Sequence, residues 1–434
     1  MLCTLTLSVY AQKQKVSVYF LEDDFCQASN VSGISPNGKY VVGQSGDLFH
    51  TSFIWDMDSR KAVQIIGSED SLAVVYGVSD EGVVAGTFQD PETLALDGMS
   101  SQVPGTWKNG EWSSLPLMAG VPVSGSWLDG FACAISPDGK TVGGTIQHKY
   151  GKYTPALWID GVLQTTEFED TDFGQGAYCY SMSDDAKVLG GWAEHDNGSR
   201  SPSIWIENKI KRLIGETEDE VYFFDGQVRS VSRNGKYAAG YFSLNGTGSD
   251  AYPFVWSEET GVIKYAESGI ASVVSNSGNV YGANGYMGNG MIYKDGVQQS
   301  LSTYLEENYD FDSSKLKYTL GTVMAISDDE SVIGGWTIGG MVGGMPLMMP
   351  YIVIIEGGLS GIESTETAAP DVRFFSNELS ISGEFESASV YNSFGTKVLS
   401  GINSNRTDVS GLEKGVYFVK VANGSKYTTF KVAK

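Results

Sequence analysis

The chain alternates short β-branched and apolar runs with turn residues, and one such combination keeps returning. It is plainest from Ala134 to Gly144, AISPDGKTVGG: an apolar strand, a Ser-Pro-Asp-Gly turn, then a second strand that closes on glycine. The other copies are GISPNGKYVVG from Gly33, GVSDEGVVAG from Gly77, SMSDDAKVLGG from Ser181, SVSRNGKYAAG from Ser230, VVSNSGNVYG from Val273 and AISDDESVIGG from Ala325. Their serines (Ser35, Ser79, Ser136, Ser183, Ser232, Ser275 and Ser327) are 44, 57, 47, 49, 43 and 52 residues apart. Self-similarity at such a period marks propeller blades or another repeat array.

Each copy predicts two antiparallel strands joined by a type I turn. Serine opens the turn, proline or a substitute follows, Asp or Asn bonds the local backbone, and glycine ends it. The small residue late in the second strand (Gly43, Gly86, Gly144, Gly191, Gly240, Gly282, Gly335) leaves space for another backbone, expected to be that of a neighbouring blade. An aromatic in a third extended run follows each serine: Trp55, Trp107, Trp158, Trp205 and Trp256, then Tyr293 and Tyr351. With a fourth strand such as Ile210–Gly215, the pattern predicts an all-β, seven-bladed β-propeller.

The ends of the chain are different. An isolated strand at 16–21 precedes the first repeat, and the seventh unit stops after Ile355 without room for a fourth strand. The expectation is that strand 16–21 completes the last blade, which removes the open sheet edges of a propeller spanning 12–356. Residues 357–370 read as a Gly/Ser/Thr/Ala/Pro linker. Beyond it, 371–434 holds short alternating strands (ELSISG, ASVYNS, VYFVKVA, YTTFKVA), predicting a small immunoglobulin-like β-sandwich.

The repeat GIS-x-DG-x-VVG with a following Pro-x-x-Trp strand resembles the bacterial extracellular repeat called the HAF family, over roughly Val31 to Glu356. That resemblance implies an extracellular repeat domain and brings no catalytic motif with it. SVYNSFGTKVL and the closing DVSGLEKGVYFVKVANGSKYTTFKVAK resemble the C-terminal sorting domain of the type IX (Por) secretion pathway of Bacteroidetes. The Asn-Pro pair usual at the front of that domain is absent; Ser376-Asn377 stands there. The resemblance implies passage across the outer membrane, with removal of the domain or its use in surface attachment. The compartments expected are the outside or outer surface of a Gram-negative bacterium, with the periplasm as the third.

Charge narrows the partners. The net charge is −23, and residues 371–434 carry 8 Lys/Arg against 6 Asp/Glu, leaving 21 against 46 for the rest. So acidic a repeat domain repels nucleic acid and anionic membrane. No later run reaches the roughly 18 apolar residues of a membrane span. The opening MLCTLTLSVYAQ, with Val9 and Ala11 ahead of Gln12, reads as the remnant of a secretory signal over 1–11, the other reading being a buried first strand. Cys3 has no lipoprotein-type box before it. Cys26, Cys133 and Cys179 are an odd set without zinc spacing, and are read as buried free thiols. Cys133 stands three residues before its turn serine and Cys179 four before its own, which predicts opposite faces.

The loops between blades, and between second and third strands, open on the face opposite the Ser-Pro-Asp-Gly turns. There the sequence interleaves aromatics with carboxylates, and ten residues are the candidate ligand contacts: Trp127, Asp129 and Phe131; Asp172 and Phe173; Tyr222, Phe224 and Asp225; Tyr309 and Asp310. Such a mixture suits sugar rings, which stack on aromatic faces and donate hydroxyls to carboxylates. The plainer alternative is that the aromatics plug the axis and the carboxylates are solvated loop residues. His148 and His195 each fall 12 residues after their serines, and are read as loop histidines. No catalytic residue, metal ligand or cofactor is assigned; calcium on carboxylate loops stays open, although no DxDxDG loop exists. Sialidase-like chemistry would need clustered arginines, whereas Arg60, Arg200, Arg212, Arg229 and Arg233 are scattered along the chain. No GxSxG, HExxH or phosphate loop occurs. The reading is a secreted or surface-displayed non-catalytic binding or adhesion module for a glycan or extracellular protein. Its alternatives are a carbohydrate-active enzyme, hydrolase or lyase, using carboxylates of the same face, and a structural spacer of a surface assembly.

Overall fold

The computed structural model describes residues 13–434 apart from 23–25, 27–28, 46–50, 68–71, 95–99, 124–128, 150, 165–175, 195–197, 215–224, 244–250, 266, 286–287, 295, 343–344, 357–370, 376–377, 383–384, 393–396 and 424–425. The expected signal remnant and linker lie outside the described residues. Two compact units are present, Met1–Gly361 and Ile362–Lys434.

Among its described residues the first unit is all-β save for one short α-helix and a 3-10 turn at Ser313–Lys315. β1 (Val16–Phe20) comes first in the chain. Four-stranded antiparallel sheets follow in sequence order: β2 (Ser29–Ile34), β3 (Tyr40–Ser45), β4 (Thr51–Asp56) and β5 (Lys61–Ile66), then β6 (Ala73–Val78), β7 (Val84–Leu94), β8 (Ser100–Lys108) and β9 (Glu111–Ser114). Next come β10 (Gly130–Ile135), β11 (Thr141–Lys149), β12 (Lys152–Ile159) and β13 (Val162–Leu163), then β14 (Ala177–Met182), β15 (Val188–Glu194), β16 (Arg200–Ile206) and β17 (Lys209–Arg212). β18 (Asp225–Val231), β19 (Tyr237–Ser243), β20 (Tyr252–Ser257) and β21 (Gly261–Lys264) form another four-stranded set, which the single parallel bridge Arg200↔Asp225 joins to β16, so that β14–β21 make one eight-stranded sheet; β22 (Ile270–Val274), β23 (Val280–Ala283), β24 (Gly290–Lys294) and β25 (Val297–Ser300) form the next. The last sheet holds β26 (Val323–Ile326), β27 (Val332–Val342) and β28 (Met345–Ile355), and its fourth strand is β1, antiparallel to β28 from Val16↔Ile355 to Phe20↔Tyr351.

Apolar clusters lie between successive sheets, as the two-faced strands require. Val42 and Ile54 meet Val84 and Trp107; Cys133 and Leu157 meet Cys179 and Trp205; Tyr281 and Ile292 meet Val323 and Ile333. One cluster joins the last sheet to the first, through Ala325, Val332 and Ile352 against Val31, Phe53 and Trp55. The arrangement is therefore a closed, β-propeller-like ring. The repeated third-strand aromatics are its wedges: Trp158, Trp205, Tyr293 and Tyr351 are fully buried. The Leu301–Asn308 segment, part of a region expected to be loop, is helix α1, started by Ser300, whose side chain accepts from the Thr303 N–H. Leu301, Tyr304 and Leu305 turn inward and join the core between the last two sheets.

The repeated turns are built from their own side chains. At Ser136 the Gly139 N–H donates to the Ser136 carbonyl, the Ser136 hydroxyl donates to Asp138 Oδ1 at 2.6 Å, and Ser136 Oγ accepts the Thr141 N–H at 2.9 Å. Equivalent bonds run from Ser35, Ser183, Ser232 and Ser327. The fourth turn position is left-handed throughout; glycine takes it in five copies, but Ala186 (φ 56°) and Glu330 (φ 60°) take it in the others.

Each first strand also carries a β-bulge, always three residues before the turn serine: at Ser32, Tyr76, Cys133, Tyr180, Arg229, Ser272 and Met324. This corrects the expectation for the second-strand glycines. The backbone that crowds them belongs to the first strand of their own sheet, beside the bulge, and not to a neighbouring sheet. A Cβ on Gly191 would stand 1.7 Å from the Tyr178 carbonyl oxygen, one on Gly240 1.9 Å from that of Gln227, and one on Gly282 1.8 Å from that of Ile270.

The second unit packs two sheets. β29 (Asp371–Phe375), β30 (Glu378–Ser382) and β33 (Arg406–Asp408) form one; β31 (Ser387–Asn392), β32 (Lys397–Ile402), β34 (Val416–Asn423) and β35 (Lys426–Ala433) form the other. Between them Leu379, Ile381, Val390, Val419 and Val421 are buried. The terminal Lys434 is tied in: its ammonium donates to the carbonyls of Val409 and Leu412.

Candidate functional site

A bulge re-aims the side chain of its extra residue. In a ring, equivalent bulges aim theirs at the axis. All seven bulged residues line one cavity of about 150 Å³ that runs along the axis, together with apolar residues one place before each turn serine, such as Ile34, Val78, Ile135 and Ile326. The sequence signals this site only by the constant distance of three residues to the serine, since the residue types differ.

At the turn end Arg233, which follows the turn serine Ser232, spans the axis. Its guanidinium donates to the carbonyls of Ile34 at 3.3 Å and Ile135 at 3.4 Å, on strands from different sheets, and pairs with Asp184 at 3.2 Å and Asp328 at 3.5 Å. Burial raises both carboxyls against the pull of Arg233; Asp328 is pushed up to about 6, with the charges of Asp184 and Asp80 adding to the effect. Neighbouring turns are laced together beside it: the Asn37 N–H donates to Asp80 Oδ1, the Asp184 N–H to the Arg233 carbonyl and the Asp328 N–H to the Pro36 carbonyl. Glu330 accepts from Ser277, Asn279 and Tyr281 of the preceding sheet.

Behind Arg233 the wall is aromatic on one side. Tyr76 and Tyr180 line the cavity, and burial raises both phenols, so they stay protonated donors at neutral pH. Tyr180 accepts from Trp192 Nε1 at 3.1 Å. The rings continue outward: Phe131 lies 5.8 Å from Tyr76 and 6.0 Å from both Tyr178 and Tyr180, Tyr178 stacks on Trp192 at 4.6 Å, and Tyr153 lies 4.9 Å from Tyr178. The Arg200 guanidinium stands 4.6 Å from the Trp192 ring. Arg229 and Arg233, read along the chain as scattered, thus face one cavity.

Of the ten sequence candidates, Trp127, Asp172, Phe173, Tyr222 and Phe224 lie outside the described residues. Asp129 is 2% exposed and accepts from Ser101 and Gln147, so it is built into the sheet and not open to a ligand. Phe131 is 4% exposed and serves as the inner member of the aromatic stack. Asp225 makes a parallel bridge with Arg200 that joins two sheets. Tyr309 packs edge-on against Tyr304 at 6.0 Å, its phenol pushed up to about 12 by burial, while Asp310 is exposed and its backbone bonds Gln14 and Val16, at the entry to β1. The structure therefore gathers Asp129 and Phe131 in one place, and puts Asp225 and Tyr309 elsewhere on the ring. Tyr76, Tyr153, Tyr178, Tyr180, Arg229 and Arg233 are the residues sequence reasoning missed.

Cys26, Cys133 and Cys179 are buried free thiols. Cys133 faces the axis and donates to the Cys179 carbonyl at 3.2 Å, and burial pushes its thiol up, which keeps it a poor nucleophile. His195 and His50 lie outside the described residues; among the described ones no group of three or more His, Cys, Asp or Glu could hold a metal ion.

Residues 374–434 match the family described as a secretion system C-terminal sorting domain. This tail marks the chain for export by the type IX system, to the outer surface or the medium. No curated protein sequence matches the chain. Among solved structures it is similar to TolB from Acinetobacter baumannii (13% identity, 79% of this chain and 80% of that one, TM-score 0.36) and to an AofleA variant from Arthrobotrys oligospora (13%, 66% and 88%, TM-score 0.40). It is also similar to the acylaminoacyl peptidase of Pyrococcus horikoshii (14%, 73% and 51%, TM-score 0.39). These are distant likenesses of shape, and no activity follows from them. No helix among the described residues is long and apolar enough to cross a membrane.

Proposed function

We propose that this is a secreted or surface-displayed, non-catalytic binding protein: a seven-bladed β-propeller of HAF-like repeats, with an immunoglobulin-like sorting domain, that takes a glycan or an extracellular protein at the axis of its ring. The observation that carries this reading is the axial cavity, walled by Tyr76 and Tyr180 and prolonged outward by Phe131, Tyr178 and Tyr153. Aromatic faces with protonated hydroxyls suit a polar ligand that presents rings or peptide edges.

The enzyme alternative needs two carboxyls facing each other across a substrate, about 5 to 10 Å apart. Asp184 and Asp328 have the raised pKa values such a pair would show, but the guanidinium of Arg233 holds both and sits where the substrate would have to lie. That favours a brace over a catalytic pair. The reading requires no cofactor; calcium on the carboxylate loops is the one ion it leaves room for.

A glycan and polysaccharide array probed with the full chain, with calcium and again with chelator, tests it. Saturable binding without cleavage, weakened at least tenfold in Tyr153→Ala or Trp127→Ala, is expected. Cleavage products would put the enzyme reading first, and an empty array would turn the search to protein partners.

A further inference from the structure

The two arginines of the cavity are in opposite states. Each nitrogen of the Arg233 guanidinium has a partner: Nη1 donates to Ile135 and pairs with Asp184, Nη2 donates to Ile34, and Nε pairs with Asp328. Arg229 lines the same cavity at the bulge of β18, yet no hydrogen bond or ion pair joins its guanidinium to another described residue. It is half-buried in a protein of net charge −23, where carboxylates outnumber cations nearly two to one. A partly desolvated cation left without a counter-charge is destabilising, and that penalty is relieved when an anion fills the space.

The rest of the wall says which anion. Tyr76, Tyr180 and Ser272 line the cavity and offer hydroxyls, while Met324 and Cys133 supply an apolar side. A guanidinium presents a planar fork that matches the two oxygens of a carboxylate. A volume of about 150 Å³ is comparable to that of an engineered protein cavity that accepts benzene. That holds a carboxylate with a few carbons or hydroxyls, and is too small for a whole sugar chain or peptide. We infer that the axial cavity is a carboxylate subsite: Arg229 clamps the two oxygens, Tyr76 and Tyr180 orient them, and the group enters either as a free small acid or as the acidic end of the larger ligand. This rests on the binding role proposed above.

The test is calorimetric titration of the full chain with acetate, lactate, glucuronate and inorganic phosphate, in a buffer free of carboxylates, on the wild type and on Arg229→Gln and Arg229→Lys. The expected result is saturable uptake of at least one carboxylate, weakened tenfold or more in Arg229→Gln and less in Arg229→Lys, with phosphate weaker than carboxylate. Without ligand, Arg229→Gln is expected to melt no lower than the wild type, because it removes an unneutralised charge, and to lose the rise in melting temperature that the carboxylate gives. Wild-type chain that takes up no carboxylate, or Arg229→Gln that takes it up equally well, overturns the subsite. Array binding that survives in Arg229→Gln while acetate binding is lost keeps the subsite and assigns it to free acids. Loss of both assigns it to the acidic end of the larger ligand. An array hit combined with no carboxylate uptake sinks the subsite alone and leaves the binding role standing.

Discussion

Gly191→Ala is the sharpest trial of the bulged repeat. The new Cβ would stand 1.7 Å from the Tyr178 carbonyl oxygen, 2.8 Å from its carbon and 3.0 Å from Cys179 Cα, all of them backbone atoms. Ordinary contact needs about 3.4 Å, so the carbonyl must swing away and the bulge at Tyr180 must be rebuilt with it. Overpacking a core typically destabilises by about 1–3 kcal/mol, and a clash with backbone belongs at the top of that range. Gly77→Ala is the matched control: its Cβ would meet nothing closer than 3.4 Å. There the loss of freedom in the unfolded chain is expected to leave stability unchanged or raise it by up to about 1 kcal/mol. Urea denaturation followed by tryptophan fluorescence is the assay, and all nine tryptophans lie before residue 362, so the signal reports the ring unit alone. A midpoint for Gly191→Ala equal to that of Gly77→Ala would refute the argument that the bulge requires glycine opposite it.

Three further outcomes follow from the turns and the axis. Ser136→Ala removes a buried hydroxyl that accepts from Thr141 and donates to Asp138, and should lower ring stability by about 1–2 kcal/mol in the same urea assay. Ala186→Gly relieves a left-handed alanine (φ 56°) and should stabilise by about 0.5 kcal/mol after the entropy cost of glycine; Glu330→Gly, although it relieves the same strain, should destabilise because Ser277, Asn279 and Tyr281 lose their acceptor. Asp328 is raised to about 6 in the fold, so its contribution is fully present below about pH 4, its unfolded value, and is lost as pH rises through 6. Because its side chain is 38% exposed, solvent screening reduces that contribution to about 1 kcal/mol. Asp328→Asn should therefore match the wild type at pH 4 and exceed it at pH 7 in thermal melts; an equal gain at both values would count against the assignment.

The strand-turn-strand repeat was legible because each of its bonds is local: serine, Asp or Asn, and glycine each do one job within five residues, and the spacing of the serines carries the rest. The third-strand aromatics were legible because a wedge between sheets must be large and apolar. The bulges were not. Serine, tyrosine, cysteine, arginine and methionine all occupy the bulged position, since what defines it is a backbone register that leaves no preference on the side chain. The axial site was hidden for the same reason: Ser32, Tyr76 and Arg229 are far apart along the chain and meet only when the ring closes. The turn face was read as geometry alone, which passed over Asp184, Arg233 and Asp328 at its centre. On the loop face, carboxylates and aromatics in polar-looking stretches were taken as solvent-facing, but Asp129 and Phe131 have their partners, Gln147 and Tyr180, inside the ring.

The ring is fastened by its own beginning. β1 pairs with β28, and Ser17 donates to Glu356 across 339 residues. Bringing such distant segments together costs roughly 5 kcal/mol of chain entropy beyond the length-independent part, so this seam forms late and opens early. During synthesis Val16–Phe20 emerges before every other described strand and waits until its partner Met345–Ile355 is available. A pull on this segment would load the five residue pairs of the seam together with the bonds that Gln14, Lys15 and Leu21 make to Asp310, Glu356 and Pro350, which makes it a mechanical fuse: the strand can be drawn off while the strand pairings of the other sheets stay intact.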